Sequence, residues 1–439
     1  MAALRSAIQL AVILALLCPA NIAADTGLDA LLARLKSEPE NAQLCEQIGV
    51  AYTRMEQFDQ AAGFFQRAFR MDPRRVSAGK NLGTVLWFGG HKKESAAIFR
   101  SIEKRIPNDP VPALYLGLDA CERKDFVAAA AFFEKAGPLA SENPEVAPAV
   151  IETDLAVGRF EQAKRLAEQR APLVSDPEAA AENYRWLAKA YDGLKRPEQA
   201  YRAFEQAVER APAAEENYLA LSVFAMDHAN PAFAREALGR GLGLLPNSAK
   251  LAMQMGLCWA MEGDFGNARA YFDRAAKADP RWSLPLLALG IADLQAGEAQ
   301  SAGEAFRNAR ALDPGDYRCY YLHATAIGRS NPDPAHREEM IQELKRAVEL
   351  DPKQARVHTA LGQAQLPSNP RAAEAQFREA LRLDPFEPTA LYQLSLLAKR
   401  AGNTAEAKRL SQAFERARRK SKEEENELVL ILRTPNQTP

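Results

Sequence analysis

The sequence predicts an all-α chain, about eleven helical hairpins stacked end to end as a solenoid. Three observations predict it. Apolar residues recur every three or four positions along most of the 439 residues, the spacing of one helical face. The whole pattern returns at a period of roughly 34 residues. Glycine, proline and Asp-Pro fall at fixed places within each period.

The N-terminus stands apart from the period. Arg5 supplies a positive start, Ile8–Leu17 is apolar apart from Gln9, and Ala20–Ala24 is rich in small residues. Residues 1–24 therefore fit a secretory signal peptide, cleaved after Ala20, Ala23 or Ala24. The alternative is an uncleaved membrane anchor. The apolar run is short for a span, which needs about 20 residues, and that favours cleavage. A lipoprotein reading would use Cys18, but Leu16 and Leu17 are bulky where small residues are wanted. Residues 25–41 contain Leu28–Lys36, a single helix that would cover the apolar face of the first hairpin.

Hairpins follow in order. The frame 42–75 carries Ile48, Gly49, Tyr52, Ala61, Phe65, Ala68 and Pro73. The frame 76–109 carries Leu82, Gly83, Leu86, Ser95, Phe99 and Pro107, and 110–143 carries Leu116, Gly117, Ala129, Phe133 and Ala136. The fourth, 144–180, keeps Phe160 and Ala163 but runs long, with Pro172 and Pro177 in its tail; it is a degenerate repeat and a candidate bend. The clearest is 181–214. Tyr184, Leu187, Ala188 and Tyr191 share a face, and Gly193 is expected to end that helix in a left-handed conformation. Pro197 suits the first turn of the next helix, where Ala200, Phe204 and Ala207 form the second stripe. The frames 215–248, 249–282 and 283–316 repeat it with Leu221 and Leu238, Gly256 and Phe272, then Gly290 and Phe306. The frame 317–354 is about one helical turn longer, with the excess expected in a loop over 328–337. The frames 355–387 and 388–421 complete the array. Small residues at the eighth and twentieth positions let helix backbones approach closely. Asp-Pro closes five repeats, because proline drives the preceding residue out of helical conformation.

Residues 422–439 are read as a C-terminal cap and tail: charged through Glu427, apolar over Leu428–Leu432, then polar. The rival reading of the apolar segment is a strip that adds to a partner.

This array of residues resembles the tetratricopeptide repeat: Leu-Gly, then Tyr, then Ala, Phe and Pro at a 34-residue period. The resemblance covers about nine-tenths of the chain. It implies a right-handed superhelix, repeats 1–4 over 42–180 and repeats 5–11 over 181–421, and protein binding without catalysis.

Composition narrows the partner class. Fifty-six basic residues balance 57 acidic ones, for a net charge of −1, so no overall field draws the chain to nucleic acid or to an anionic membrane. Cys45, Cys121, Cys258 and Cys319 sit in separate repeats without a C-x-x-C pair, and read as small buried hydrophobes. Chemistry is sparse. P-loop, H-E-x-x-H and G-x-S-x-G motifs are missing. Gly239–Gly243 resembles a phosphate loop but ends a helix rather than opening one. His91, His228, His323, His336 and His358 lie in separate repeats, with nothing to pair them with a nucleophile. Asn436 opens a glycosylation sequon at the chain end. No catalytic residue, cofactor or metal set is expected.

A binding face is better defined. Positions 5, 9 and 12 of each first helix lie about 100° round from the hairpin's own seam; in the resembling family that face lines the concave groove. Here they read Leu219 and Val223, Met253 and Leu257, Leu287 and Ile291, then Tyr321. One expectation is an apolar groove for a peptide or protein; the other is that neighbouring first helices cover these side chains. Glu46, Lys80, Arg185 and Lys189 hold comparable places in earlier repeats. A carboxylate clamp known in the family would need asparagines and further basic residues. Starting from Lys80, the matching places hold Thr84, Tyr115, Glu145 and Ala149, so only the lysine fits.

The expected role is a non-catalytic, exported scaffold or assembly factor that presents this groove to another protein. One rival is a membrane-anchored component of an envelope or exopolysaccharide assembly complex. The other is the repeat arm of a glycosyltransferase, for which no catalytic domain is legible.

Overall fold

A computed structural model describes residues 27–330 and 333–421. The expected signal peptide and the expected C-terminal segment 422–439 lie outside the described residues. Among the described residues there are 24 α-helices, one 3-10 turn and no strand. A lone helix comes first, α1 (Leu28–Ser37). Antiparallel pairs follow: α2 (Ala42–Arg54) with α3 (Phe58–Met71), α4 (Val76–Phe88) with α5 (Lys92–Glu103), and α6 (Pro110–Glu122) with α7 (Phe126–Ala136). A four-residue helix, α8 (Pro138–Ser141), intervenes before α9 (Ala147–Ala156) and α10 (Phe160–Arg170), then α11 (Pro177–Gly193) and α12 (Pro197–Arg210). The chain divides into two compact units between Ala211 and Pro212. The second unit holds α13 (Glu215–Asp227), α14 (Pro231–Leu244), α15 (Ala249–Met261), α16 (Phe265–Ala278), α17 (Ser283–Ala296) and α18 (Ala299–Leu312). It closes with α19 (Tyr317–Arg329), α20 (Pro334–Leu350), α21 (Ala355–Gln365), α22 (Pro370–Leu383), α23 (Pro388–Arg400) and α24 (Thr404–Ser421). Eleven hairpins result, as the period predicts.

No hairpin buries its apolar faces alone, and the core is a seam shared between neighbours. In the first unit, Phe65 of α3 packs with Leu82 and Val85 of α4. Leu31 and Leu35 of α1 cover Leu44, Cys45 and Ile48 of α2. In the second unit, Phe377 of α22 packs with Leu391 and Leu394 of α23. The expected small eighth residue has a specific partner. A Cβ added to Gly49, Gly83, Gly117, Gly256, Gly290 or Gly362 would lie 2.5–2.7 Å from the ring of Phe65, Phe99, Phe133, Phe272, Phe306 or Phe377 respectively. The phenylalanine of the second helix therefore occupies the space the side chain vacates. Where that phenylalanine becomes Leu238, the eighth place holds Ser222.

The helix ends correct one expectation. Gly193 is the last residue of α11 and is not left-handed; it is glycine because a Cβ would meet the Phe160 ring at 2.4 Å. The left-handed residue comes two places later, at Lys195, with φ 59°. The corresponding turn position is glycine at Gly90, Gly158, Gly263, Gly297 and Gly402, but Glu56, Lys124, Lys195 or Ala229 elsewhere. A side chain in that conformation costs roughly 1–2 kcal/mol, less the extra chain entropy that glycine loses on folding. Lys195→Gly is therefore expected to stabilise the protein by about 0.5–1 kcal/mol. A higher urea midpoint, with helicity unchanged, checks this.

Asp-Pro does more than stop a helix. Asp72, Asp279, Asp313, Asp351 and Asp384 are each the C-cap residue of a second helix. Each carboxylate then accepts the N–H two residues on, at 2.9–3.2 Å, and so folds the turn toward the next repeat.

Two other places differ from expectation. Pro177 does not trail the fourth repeat; it opens α11, with Asp176 accepting the Ala179 N–H at 2.9 Å. Pro172 lies in the 3-10 turn Ala171–Leu173. The excess of the ninth repeat is not all loop, because α20 begins at Pro334 and runs 17 residues. Cys45, Cys258 and Cys319 are buried and Cys121 is half-buried, all as free thiols. Burial pushes the Cys258 and Cys319 thiols up to about 12.

Candidate binding cleft

The first helices α13, α15 and α17 bring one side of the second unit together. A cleft of about 1050 Å³ opens along their N-terminal halves. Leu219 of α13 and Met253 and Leu257 of α15 line it. So do Trp282 and Leu284 at the start of α17, and Leu312 at the end of α18. The sequence puts them there for separate reasons. Ser248 caps α15 by accepting the Leu251 N–H at 3.1 Å, which sets the helical phase that turns Met253 and Leu257 to one side. The turn after Asp279 carries Trp282 to the mouth.

Charged groups stand beside the apolar lining. Glu215 accepts from Ser248 Oγ at 2.6 Å and pairs with Lys250 Nζ at 3.0 Å. Burial works against the Glu215 carboxylate, but these two partners outweigh it and hold it below its ordinary range. Arg281, Asp279 and Asp313 also reach the cleft. The arrangement offers an apolar floor with both signs of charge around it. It suits a side chain or peptide segment of mixed character.

The sequence ladder is divided by the structure. Leu219, Met253 and Leu257 share the cleft. Met253 (4 % exposed) lines it from a buried position, and Leu287 (0 %) and Ile291 (4 %) are buried outside it. Tyr321 is half-buried, and Val223 is exposed outside the cleft. Trp282, Leu284 and Leu312 were not legible as lining residues, because they come from a helix cap, the first turn of a first helix and the end of a second helix, outside the positions that the periodicity defines.

Elsewhere the comparable places serve the fold. Glu46 is buried and accepts from Arg75 and, at 2.7 Å, from Ser77 Oγ. Lys80, the single residue that fits the clamp, donates to Asp109 at 2.6 Å. The first unit holds a smaller hollow of about 200 Å³ lined by Trp87, Tyr115, Leu118 and Lys92. Lys92 Nζ stands 5.0 Å over the Trp87 ring.

Comparison with known proteins agrees with the hairpin architecture. Tetratricopeptide repeat profiles match residues 47–110, 219–281 and 368–424, and a second profile of the same repeat matches 181–213. No curated protein matches the sequence. Among solved structures, the chain is similar to MamA from residue 41 onward, of Desulfovibrio magneticus RS-1. That match is 24% identical, covers 39% of this chain and 96% of that one, and has a TM-score of 0.36. It is also similar to the C-terminal part of a repeat protein from Cytophaga hutchinsonii, at 17% identity over 56% of this chain and 99% of that one, TM-score 0.44. Yeast Tom70 is 14% identical over 93% of this chain and 95% of its own, TM-score 0.40.

Proposed function

Because this chain is a tetratricopeptide repeat protein, we propose that it is a non-catalytic scaffold or assembly factor that takes a peptide or protein partner in the cleft of its second unit. The observation that carries the reading is the mixed lining: Leu219, Leu257 and Leu312 accessible to a ligand, with Glu215, Lys250 and Arg281 beside them. Apolar contact supplies affinity there, and the charges select register. The partner's matching segment is apolar with flanking charges of both signs. No catalytic domain is identified among the described residues.

Photo-cross-linking in the native host tests this. A reactive side chain at position 257 should yield discrete protein adducts that Leu219→Asp removes. The same group at the exposed Val127 should yield none of them. Leu257→Asp should weaken capture at least about tenfold while helicity survives, since Leu257 is only half-buried. Adducts identical at both positions, or none at 257, would sink the reading.

The leader pattern over 1–24 supports export, to the periplasm or beyond. Among the described residues no helix is long and apolar enough to cross a membrane. N-terminal sequencing of the mature chain separates the two forms: a start between Asn21 and Asp25 means cleavage, and an intact Met1 in the membrane fraction means an anchored scaffold.

A further inference from the structure

We propose that His323, Glu339 and Glu343 form a binding site for a divalent transition metal ion, with zinc the best chemical fit. His323 lies on α19, and the two glutamates lie one turn apart on α20, facing it. One ligand atom from each residue lies within 4.8 Å of the others.

Two buried atoms without a well-formed hydrogen bond point to a ligand. His323 is 3 % exposed, and its Nδ1 makes no well-formed hydrogen bond, lying at ion-pair distance from Glu343 Oε1. Glu343 Oε2 is buried in the same cluster and makes none either. Buried polar atoms are nearly always satisfied, because each one left bare costs about 1–3 kcal/mol. His358 shows how this fold settles a structural histidine. It is as buried, at 5 % exposed, and its ring nitrogens meet Gln376 Oε1 at 2.7 Å and the Pro352 carbonyl at 3.0 Å. His323 has no such arrangement.

The separations suit a metal. His323 Nδ1 lies 3.3 Å from Glu343 Oε1. Ligand atoms about 2.0–2.1 Å from a tetrahedral zinc lie about 3.3 Å from each other. One imidazole nitrogen and two carboxylates are a ligand set for zinc, whereas calcium or magnesium would want oxygens throughout. Glu339 is exposed, so an ion can enter from that side and a fourth place stays open to water or a further ligand.

Arg310 is the opposing group. Its guanidinium pairs with Glu343 Oε1 and lies 5.4 Å over the Tyr320 ring. It lowers affinity for a cation without occupying Oε2, and that gives the test an opposite sign.

The experiment is calorimetric titration of the full chain with Zn²⁺ alone, after chelator treatment, at pH 7.5. One ion per chain is expected. Glu339→Gln, at an exposed position that does not threaten folding, should weaken binding at least about tenfold. Arg310→Gln should tighten it. Absence of binding, an affinity unmoved by Glu339→Gln, looser binding in Arg310→Gln, or a preference for Mg²⁺ over Zn²⁺ would each overturn the assignment. Partner capture at position 257 is unaffected by these outcomes.

Discussion

Gly256→Val is expected to destabilise the second unit by about 3 kcal/mol, the upper end of ordinary overpacking. The first added carbon alone would lie 2.5 Å from Phe272 Cε1 and 3.2 Å from the Ala268 carbonyl oxygen. Phe272 is fully buried, so its ring has nowhere to go. Better intrinsic helix propensity offsets only a few tenths of a kcal/mol. The neighbouring hairpin suggests the rescue, because there Leu238 accompanies Ser222 at the same two places. Phe272→Leu alone should lose about 1 kcal/mol, and together with Gly256→Val it should recover at least half of the valine's loss. Urea unfolding with hydrogen exchange in α15 and α16 reads both. Simple additivity would mean that ring and glycine do not share the space.

Asp154→Asn is expected to stabilise the first unit at neutral pH. Asp154 lies on α9, 8 % exposed, in a hollow lined by Phe133, Val150 and Arg159. Burial raises its carboxyl to about 6, and Arg159 offsets only part of that. Arg159 is shared with Glu134, which it meets at 3.2 Å. An acid with a raised folded pKa binds more protons folded than unfolded between its two values. Stability therefore falls as pH rises from about 4 to about 6 and stays low above. The full effect of such a shift is about 1–3 kcal/mol. The asparagine variant should gain that amount over the parent at pH 7 and nothing at pH 4. Hydrogen exchange in α9 and α10 at both pH values measures it. An equal gain at both pH values would reduce the effect to packing.

Much of the fold was legible because its rules are local and repeated. The period, the eighth-place glycines and the Asp-Pro stops fix eleven hairpins from residue types alone. Two details were not. Glycine usually marks the left-handed position, which points to Gly193, yet Lys195 takes it and Gly193 yields to Phe160. The distinction depends on a ring 33 residues away in sequence. Likewise, Pro177 looked like an ending and is a beginning, because a proline suits either side of a helix boundary until the cap residue is known.

The cleft was half legible. Helical phase predicted that Leu219, Met253 and Leu257 would share a side, and they do. It could not say that Leu287 and Ile291 would be covered, since that depends on how closely successive first helices approach. Nor could it bring Trp282 and Leu312 to the mouth, or set His323 against Glu343, because turns and second helices follow a different phase. The sequence by itself determined the repeat, its number and the seam that holds neighbours together, since those follow from contacts a fixed distance along the chain. Tertiary structure alone decided which apolar residues remain open and which buried polar atoms lack a partner. Both depend on the distance between helices from different repeats, which no single period records.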